Sequence, residues 1–353
     1  MLDKSLLDKL ADAISTCGGA LPALKCQPFY ALMSELFTTE EAGLAVKLPL
    51  EAMTLKQLSK LAGAPATSSL GGTLEAMADK GLLLAEKAGE NTTYKMLPLL
   101  PGMMEFQFLK GGTGERDRKI ILLIHEYLRF VNQAVAATPR AAGDDASQGK
   151  RVITLEKLIA QIAVVHSYAD VMDLIDTTEH IAVGTCLCRH RGEILDRPCD
   201  KPKDVCMIFG PEAKAAADRG MVRMLSKDDA HQVLDRTEEA GLVHQSMYHQ
   251  GGFVDFLCNC CACHCGTLRG IKRAQVPSLA AIVKRVIAID RESCISCGDC
   301  VPRCQMEALK QDLVDLKLNA GRCIGCGLCI YACPVDALKL VERANPWVEM
   351  PVR

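Results

Sequence analysis

The feature that most constrains this chain is a repeated run of cysteines near its carboxyl terminus. Four cysteines with the spacing C-x2-C-x2-C-x3-C occur twice, and each cysteine of the first run has a counterpart 29 residues later. The first run is Cys294, Cys297, Cys300 and Cys304, and the second is Cys323, Cys326, Cys329 and Cys333. Thiols grouped so closely either form disulfides or bind metal, and the composition decides between these two roles.

The composition favours metal binding. The chain has 353 residues and 19 cysteines, and 17 of the cysteines lie between Cys186 and Cys333. Dense disulfides are typical of small secreted domains that lack a sufficient core, whereas this chain is long and 49% hydrophobic. The start, MLDKSLLDKL, has no signal-peptide pattern, and no apolar run reaches the roughly 18 residues of a membrane helix. We therefore expect a cytoplasmic protein without a membrane span, whose cysteines bind metal.

The repeat resembles the bacterial two-cluster ferredoxins, in which the fourth cysteine of each run ligates the cluster of the other run. This resemblance implies one 4Fe-4S cluster bound by Cys294, Cys297, Cys300 and Cys333, and a second bound by Cys323, Cys326, Cys329 and Cys304. The sequence departs from the family pattern at one place, because Pro334 follows the second run but Gln305 follows the first. Zinc is disfavoured here, since structural zinc uses two C-x2-C pairs rather than runs of four.

Nine further cysteines lie in the central part of the chain, in two groups. The first group is Cys186, Cys188, Cys199 and Cys206, and the second is Cys258, Cys260, Cys261, Cys263 and Cys265. In an extended segment, Cys258 and Cys260 would face one side and Cys261, Cys263 and Cys265 the other, so the segment could serve two metal centres. We predict one or two further 4Fe-4S clusters, three or four in total. Structural zinc and free redox thiols stay open as alternatives for the first group, and spacing does not show which cysteines share a metal.

Histidines and basic residues surround these cysteines. The nearest histidines are His166, His180, His190 and His264. A histidine beside cysteines is more often a hydrogen-bond donor behind the ligands than a ligand. Arg189, Arg191, Lys201 and Lys203 lie within the first group, where they either neutralise cluster charge or bind an anionic substrate or partner. Cys17 and Cys26 lie far away in an apolar helical segment, and we expect them to be ordinary buried thiols.

The amino-terminal part is predicted to form helices followed by a hairpin. Helices are expected at TLKQLSKLAG and ATSSLGGTLEAMADKG, and two strands around a turn at Gly89 to Asn91. This order resembles a winged-helix domain. However, residues 1–110 contain no arginine, and their ten lysines face twelve acidic residues, whereas a DNA-reading domain should be basic. DNA is therefore a disfavoured partner, and we expect an interaction or packing role.

The predicted fold class is α+β. Residues 1–110 would form the winged-helix-like domain, 111–150 a helix and linker, 151–285 a cysteine-rich α+β domain, and 286–353 a ferredoxin-like domain with two clusters. We further predict helices over 119–137 and 154–176, and a helix that begins at Ser226 with a capping box to Asp229. A hairpin that turns at Gly251 and Gly252 should bring Cys258 to the end of its second strand.

The order of these parts also resembles a group of iron–sulfur binding proteins of anaerobic microbes, which implies little about substrate. Several clusters in one chain indicate a relay of low-potential electrons to a partner oxidoreductase or another subunit. One alternative is a reductase with a catalytic central cluster, and another is a redox-sensing winged-helix regulator. The sequence has neither GxGxxG nor a P-loop, and a homo-oligomer is compatible with it. Removal of residues 1–110 is expected to leave the iron content unchanged.

Overall fold

The computed structural model describes residues 2–21, 23–62, 68–89, 91–137, 163–247, 255–274, 277–312 and 315–343. In these ranges the strands form four sheets, of three, six, two and two strands. The three-stranded sheet is amino-terminal, the six-stranded sheet is central, and both two-stranded sheets are carboxyl-terminal. This mixture of helices and small sheets agrees with the predicted α+β class.

The amino-terminal region packs helices and a small sheet around an apolar core. Its helices are α1 (Lys4–Thr16), α2 (Gln27–Leu36), α3 (Thr39–Ala45), α4 (Leu55–Ala62) and α5 (Ser68–Asp79). Its strands are β1 (Met53–Thr54), β2 (Leu83–Ala88) and β3 (Asn91–Met96), in the order β1-β3-β2. The two predicted helices and the hairpin therefore lie at the predicted residues.

A long helix connects this region to the centre of the chain. A kinked helical turn at Leu99–Met103 and the short α6 (Met104–Phe106) precede α7 (Glu115–Ala137), which begins four residues before the predicted start at 119. Helix α7 packs on α2, and its buried Tyr127 hydroxyl accepts a hydrogen bond of 2.9 Å from the amide of Leu24. The segment between α6 and α7 contacts Thr185 and His190, which flank the first two central cysteines.

The central region is built on an antiparallel sheet with the strand order β4-β8-β9-β6-β5-β7. Its strands are β4 (Ala163–His166), β5 (Ile181–Thr185), β6 (Asp204–Phe209), β7 (Arg223–Leu225), β8 (Val243–Met247) and β9 (Phe256–Cys260). Its helices are α8 (Tyr168–Thr177), α9 (Leu187–Ile194), α10 (Pro211–Asp218), α11 (Lys227–Glu239) and α12 (Gly266–Arg273).

The two faces of this sheet bury different cores. Met207 and Phe209 of β6 pack with α8 and α11, whereas Ile208 packs with α10. Side chains alternate across a strand, so Cys206 lies on the face of Ile208. The same alternation on β9 puts Leu257 in the α8–α11 core and leaves Cys258 on the opposite face.

One predicted helix is wrong in part. Residues 163–166 form the strand β4, although a helix was expected over 154–176; residues 154–162 lie outside the described residues. The β-branched Val164 and Val165 favour a strand. Helix α8 is separate from this strand: Ser167 is its N-cap residue, and the Ser167 hydroxyl and Asp170 form a capping box. The predicted capping box of Ser226 with Asp229 is confirmed at the start of α11.

The predicted hairpin before the second group of central cysteines is present as the pair β8 and β9. Its turn at Gly251 and Gly252 lies outside the described residues. The predicted linker at 140–150 lies outside them as well. Strand β9 continues past Cys258 to Cys260, so Cys258 is not at its end. This extension brings two cysteines of the second group onto the same strand.

The carboxyl-terminal region repeats one small unit. Strand β10 (Arg285–Ile289) pairs with β13 (Leu338–Glu342), and β11 (Leu309–Gln311) pairs with β12 (Leu316–Leu318). A 3-10 turn at Pro277–Leu279 precedes these strands, and the short helices α13 (Cys300–Arg303) and α14 (Leu328–Tyr331) pack together. In the described ranges, none of the helices combines the length and apolar character needed to cross a bilayer.

Candidate metal centres

Two cavities in the carboxyl-terminal region are each lined by four cysteines. The inner cavity is lined by Cys304 together with Cys323, Cys326 and Cys329. The outer cavity is lined by Cys333 together with Cys294, Cys297 and Cys300. Each cavity takes its fourth cysteine from the other run, which is the division that the ferredoxin resemblance implied.

The backbone around these cavities is suited to anionic sulfur. The amide of Ala308 donates a hydrogen bond of 3.2 Å to Cys304 Sγ, and the amide of Ala337 donates an equal one to Cys333 Sγ. Gly325 has φ +65°, and a Cβ at this position would lie 2.2 Å from the carbonyl oxygen of Arg285, so only glycine fits there. Burial raises the pKa of Cys326 to about 12, so a cation is needed to hold this sulfur as the thiolate that binds metal. Both cavities therefore fit an iron–sulfur cluster.

Six of the nine central cysteines meet on one face of the six-stranded sheet. We call this group the thiol basket, and it consists of Cys186, Cys188, Cys206, Cys258, Cys260 and Cys265. Strands β6 and β9 pair Met207 with Leu257, so the next pair in this register is Cys206 and Cys258. Cys186 precedes α9 and Cys265 precedes α12, each as the N-cap residue. Residues distant in sequence thus converge through strand pairing and two helix starts.

The thiols of the basket act strongly on one another. Contact with the thiol of Cys186 and then with that of Cys265 lowers the pKa of Cys188 well below its usual value. In the same way, Cys206 and Cys260 lower the pKa of Cys258. A buried group of thiolates and thiols needs compensating positive charge, and metal binding supplies it while releasing the remaining protons.

Arg189 places a buried cation beside the basket. Its Nη1 donates to the carbonyl oxygen of Asn259 at 3.0 Å and to Cys261 Sγ at 3.7 Å. Burial alone would lower the pKa of Arg189, but the surrounding thiols, Cys186 first, raise it above its usual value. Its Nε and Nη2 are buried without a hydrogen-bond partner among the described residues. These two buried nitrogen atoms carry N–H groups that lack acceptors, and the inorganic sulfide of a cluster held by the basket could accept their hydrogen bonds.

Sequence reasoning missed Glu105, whose carboxyl group also lies beside the basket. Its Oε2 accepts a hydrogen bond of 2.8 Å from the amide of Gly102. Burial raises the pKa of Glu105 to about 8, and the nearby Cys258 and Cys188 add to this effect. The chain just after Glu105 is held next to the basket, because the amide of Thr185, the residue before Cys186, donates to the carbonyl oxygen of Leu109 at 2.9 Å. No local signal marks Glu105, since it precedes the central cysteines by some 80 residues.

The other three central cysteines form a second group together with a histidine. We call it the Cys3His group, and it consists of Cys199, Cys261, Cys263 and His264. One ligand atom from each residue lies within 4.8 Å of the others. The predicted alternation is correct for Cys258 and Cys260 against Cys261 and Cys263, but Cys265 was assigned to the wrong side. Strand β9 ends at Cys260, and the turn after it returns Cys265 to the basket as the N-cap of α12.

The remaining candidates lie apart from these groups. His166 Nε2 lies 2.8 Å from Ser246 Oγ, and burial lowers the pKa of His166 to about 4. His190 Nε2 lies 2.6 Å from the carbonyl oxygen of Gly112, and His180 lies 4.0 Å from Glu179.

The basic candidates and the two distant cysteines have other surroundings. Lys203 pairs with Glu193, Lys201 with Asp200, and Arg191 helps to lower the pKa of Cys188. Cys17 and Cys26 are half-buried in the amino-terminal core, where burial raises the pKa of each thiol.

Gln305, the residue that departs from the ferredoxin pattern, joins the inner cavity to the basket. Its Oε1 accepts a hydrogen bond from the amide of Ala262. Its Nε2 donates to the carbonyl oxygens of Gly241 and of Cys260, the latter at 3.2 Å. The sequence marked this position as unusual, but the role depends on contacts with residues more than 40 positions away. Proline, which follows the second run, could form none of these side-chain hydrogen bonds.

Comparison with known proteins bears on the carboxyl-terminal region. A family model described as a 4Fe-4S dicluster domain matches residues 287–340. Searches of curated proteins and of solved structures give no match. The matched range contains all eight cysteines that line the inner and outer cavities. The chain therefore carries a carboxyl-terminal ferredoxin-type iron–sulfur domain.

Proposed function

We propose that this protein is an electron-transfer protein with three 4Fe-4S clusters, one in the outer cavity, one in the inner cavity and one in the thiol basket. The bound clusters would supply one-electron chemistry at low potential. The protein would hold them in series and pass electrons between a redox partner and the central region. Cytoplasmic location stays a prediction from the sequence.

The observation that carries this proposal is the contact between the inner cavity and the basket. Cys260 and Cys265 of the basket share one apolar core with Cys304 and Cys326 of the inner cavity. Val243 lines the inner cavity and pairs with Cys260 across β8 and β9. Because electron transfer weakens steeply with distance, two redox centres in direct packing contact form a natural relay. Gln305 would fix their separation.

The outer cavity offers a place for a partner to approach. Ile295 and Val335 line this cavity, and their side chains are 63% and 37% exposed. Cys297, also at the outer cavity, is exposed, whereas Cys323 and Cys329 of the inner cavity are buried. An apolar rim around the exposed end of the series supports docking of a redox protein at this end.

The amino-terminal region supports a packing role in this proposal rather than DNA binding. Helix α5 would be the DNA-reading helix of a winged-helix domain. Its Glu75 and Asp79 both pair with Arg219, which follows α10 of the central region. These two ion pairs engage part of α5 in contacts within the chain, and the α5 residues that form them are acidic rather than basic.

One observation favours a second function, a reductase with a catalytic centre in the basket. The basket has six thiols, whereas a cubane cluster takes four. The two remaining thiols could reduce a disulfide substrate: two electrons and two protons pass to the substrate, which becomes two thiols, and the basket pair becomes a disulfide. The adjacent cluster could then return the two electrons to this pair one at a time. Differential alkylation before and after reduction tests this function: recovery of one reducible pair among the six would favour the reductase, and six unchanged residues would favour electron transfer alone.

Redox titration with electron paramagnetic resonance tests the main proposal. The anaerobically purified protein, fully reduced, is expected to give about three spins per chain, one for each reduced cubane. Replacing Cys206, Cys258 and Cys260 together by Ala leaves three thiols in the basket, fewer than a cubane takes, and should remove one spin and leave two. Cys17→Ala alters a half-buried cysteine outside every group and should leave all three. Two spins in the unmodified protein would contradict a cluster in the basket.

A further inference from the structure

The sulfur atoms of the Cys3His group lie at the separations expected around a single metal ion. Cys199 Sγ is 3.9 Å from Cys261 Sγ and 3.7 Å from Cys263 Sγ. Around a single tetrahedral metal with bonds of about 2.3 Å to sulfur, two sulfur atoms are separated by about 1.63 bond lengths, or about 3.8 Å. The observed separations therefore match one metal ion.

His264 completes the four ligands. Its Nε2 lies 2.8 Å from the carbonyl oxygen of Arg197, and a carbonyl only accepts, so Nε2 carries the proton. Its Nδ1 is then a lone-pair donor, and it is buried without a hydrogen-bond partner among the described residues. Histidine ligands of metals usually donate the other ring N–H to a backbone carbonyl or carboxylate in this way.

The fold makes room for this histidine. A Cβ on Gly192 would lie 2.3 Å from His264 Cδ2 and 2.7 Å from the carbonyl oxygen of Arg197. Glycine is therefore the residue that allows the imidazole and its acceptor to sit against α9. Backbone amides of Lys201 and His264 donate hydrogen bonds to the sulfur atoms of Cys199 and Cys261.

We propose that Cys199, Cys261, Cys263 and His264 bind one zinc ion in a closed tetrahedral site, separate from the iron–sulfur clusters. Three cysteines and one histidine are an established ligand set of structural zinc, and four protein ligands leave no open position for a substrate. The site would tie the loop between α9 and β6 to the turn after β9. Cys260 and Cys261 are adjacent, so the zinc site would also steady the segment that carries three thiols of the basket.

Metal analysis of the full-length protein, purified without oxygen, tests this site independently of the proposed electron transfer. We expect about one zinc per chain. Cys263→Ser alters the exposed ligand and should reduce zinc at least tenfold without lowering iron. Gly192→Ala keeps all four ligands but displaces His264, and should reduce zinc as well. The control Cys17→Ser should change neither metal.

X-ray absorption at the zinc edge of the unmodified protein decides the case even if a variant does not fold. Three sulfur neighbours at about 2.3 Å and one nitrogen at about 2.0 Å would support the site. Absence of zinc, zinc that survives Cys263→Ser, or a loss of about four irons in that variant would overturn it. Iron and sulfide counts report on the clusters separately, so the two proposals can fail separately.

Discussion

Replacement of Gln305 should loosen the contact between the ferredoxin-type domain and the thiol basket. The side chain makes three hydrogen bonds, with Ala262, Gly241 and Cys260. Each hydrogen bond contributes about 1 kcal/mol, so Gln305→Ala should lower the free energy of local opening by about 2–3 kcal/mol. That change corresponds to an open population about 30- to 150-fold larger.

Hydrogen exchange followed by mass spectrometry measures this opening. The amide of Ala262 should exchange about 30- to 150-fold faster in Gln305→Ala, because it loses its acceptor. Gln305→Pro, which restores the ferredoxin pattern, should have the same effect. Gln311→Ala is the matched control: Gln311 lies in the same domain, and its exposed Nε2 donates to the carbonyl oxygen of Ser296 at 3.1 Å. Equal exchange at Ala262 in all variants would refute the role given to Gln305.

Three further predictions concern the metal centres. Cys304→Ala should lower the iron content by about four of twelve irons, because it removes the cluster of the inner cavity. Iron analysis and spectroscopy measure this loss. Loss of the outer cluster instead would refute the crossed assignment of Cys304 and Cys333. Arg189→Leu should lower the reduction potential of the basket cluster, on the order of tens of millivolts in a redox titration, because a nearby cation favours the reduced form. Arg189→Lys keeps the positive charge and should lower the potential less. An equal shift in both variants would argue against a charge effect. Removal of residues 1–110 should now reduce iron from about twelve to about eight, since Glu105 lies beside the basket and Leu109 accepts a hydrogen bond from Thr185, which precedes Cys186. Unchanged iron would support the expectation from sequence.

Local spacing predicted the ferredoxin cavities well. The eight cysteines that line them lie in two short loops, and the exchange of Cys304 and Cys333 was implied by the resemblance to two-cluster ferredoxins. The basket could not be predicted in this way, because it depends on the pairing of β6 with β9, which brings Cys206 opposite Cys258. Strand register across some 50 residues of intervening chain leaves no trace in cysteine spacing.

The errors have identifiable physical causes. Alternation assigned Cys265 to the wrong group because it assumed that the strand continues beyond Cys260. The strand ends at Cys260, and Cys265 is the N-cap residue of α12. The helix predicted across 163–166 overlooked the capping box that begins at Ser167, a signal present in the sequence. By contrast, His190 and His264 both lie within two residues of a cysteine, and only the three-dimensional arrangement shows that His264 joins a cysteine group whereas His190 contacts Gly112.

Iron, acid-labile sulfide and zinc should be quantified together on protein purified without oxygen. With three cubanes and one tetrahedral ion, we expect about twelve irons, about twelve sulfides and about one zinc per chain. Eight irons and eight sulfides, with the zinc unchanged or increased, would contradict a cluster in the thiol basket.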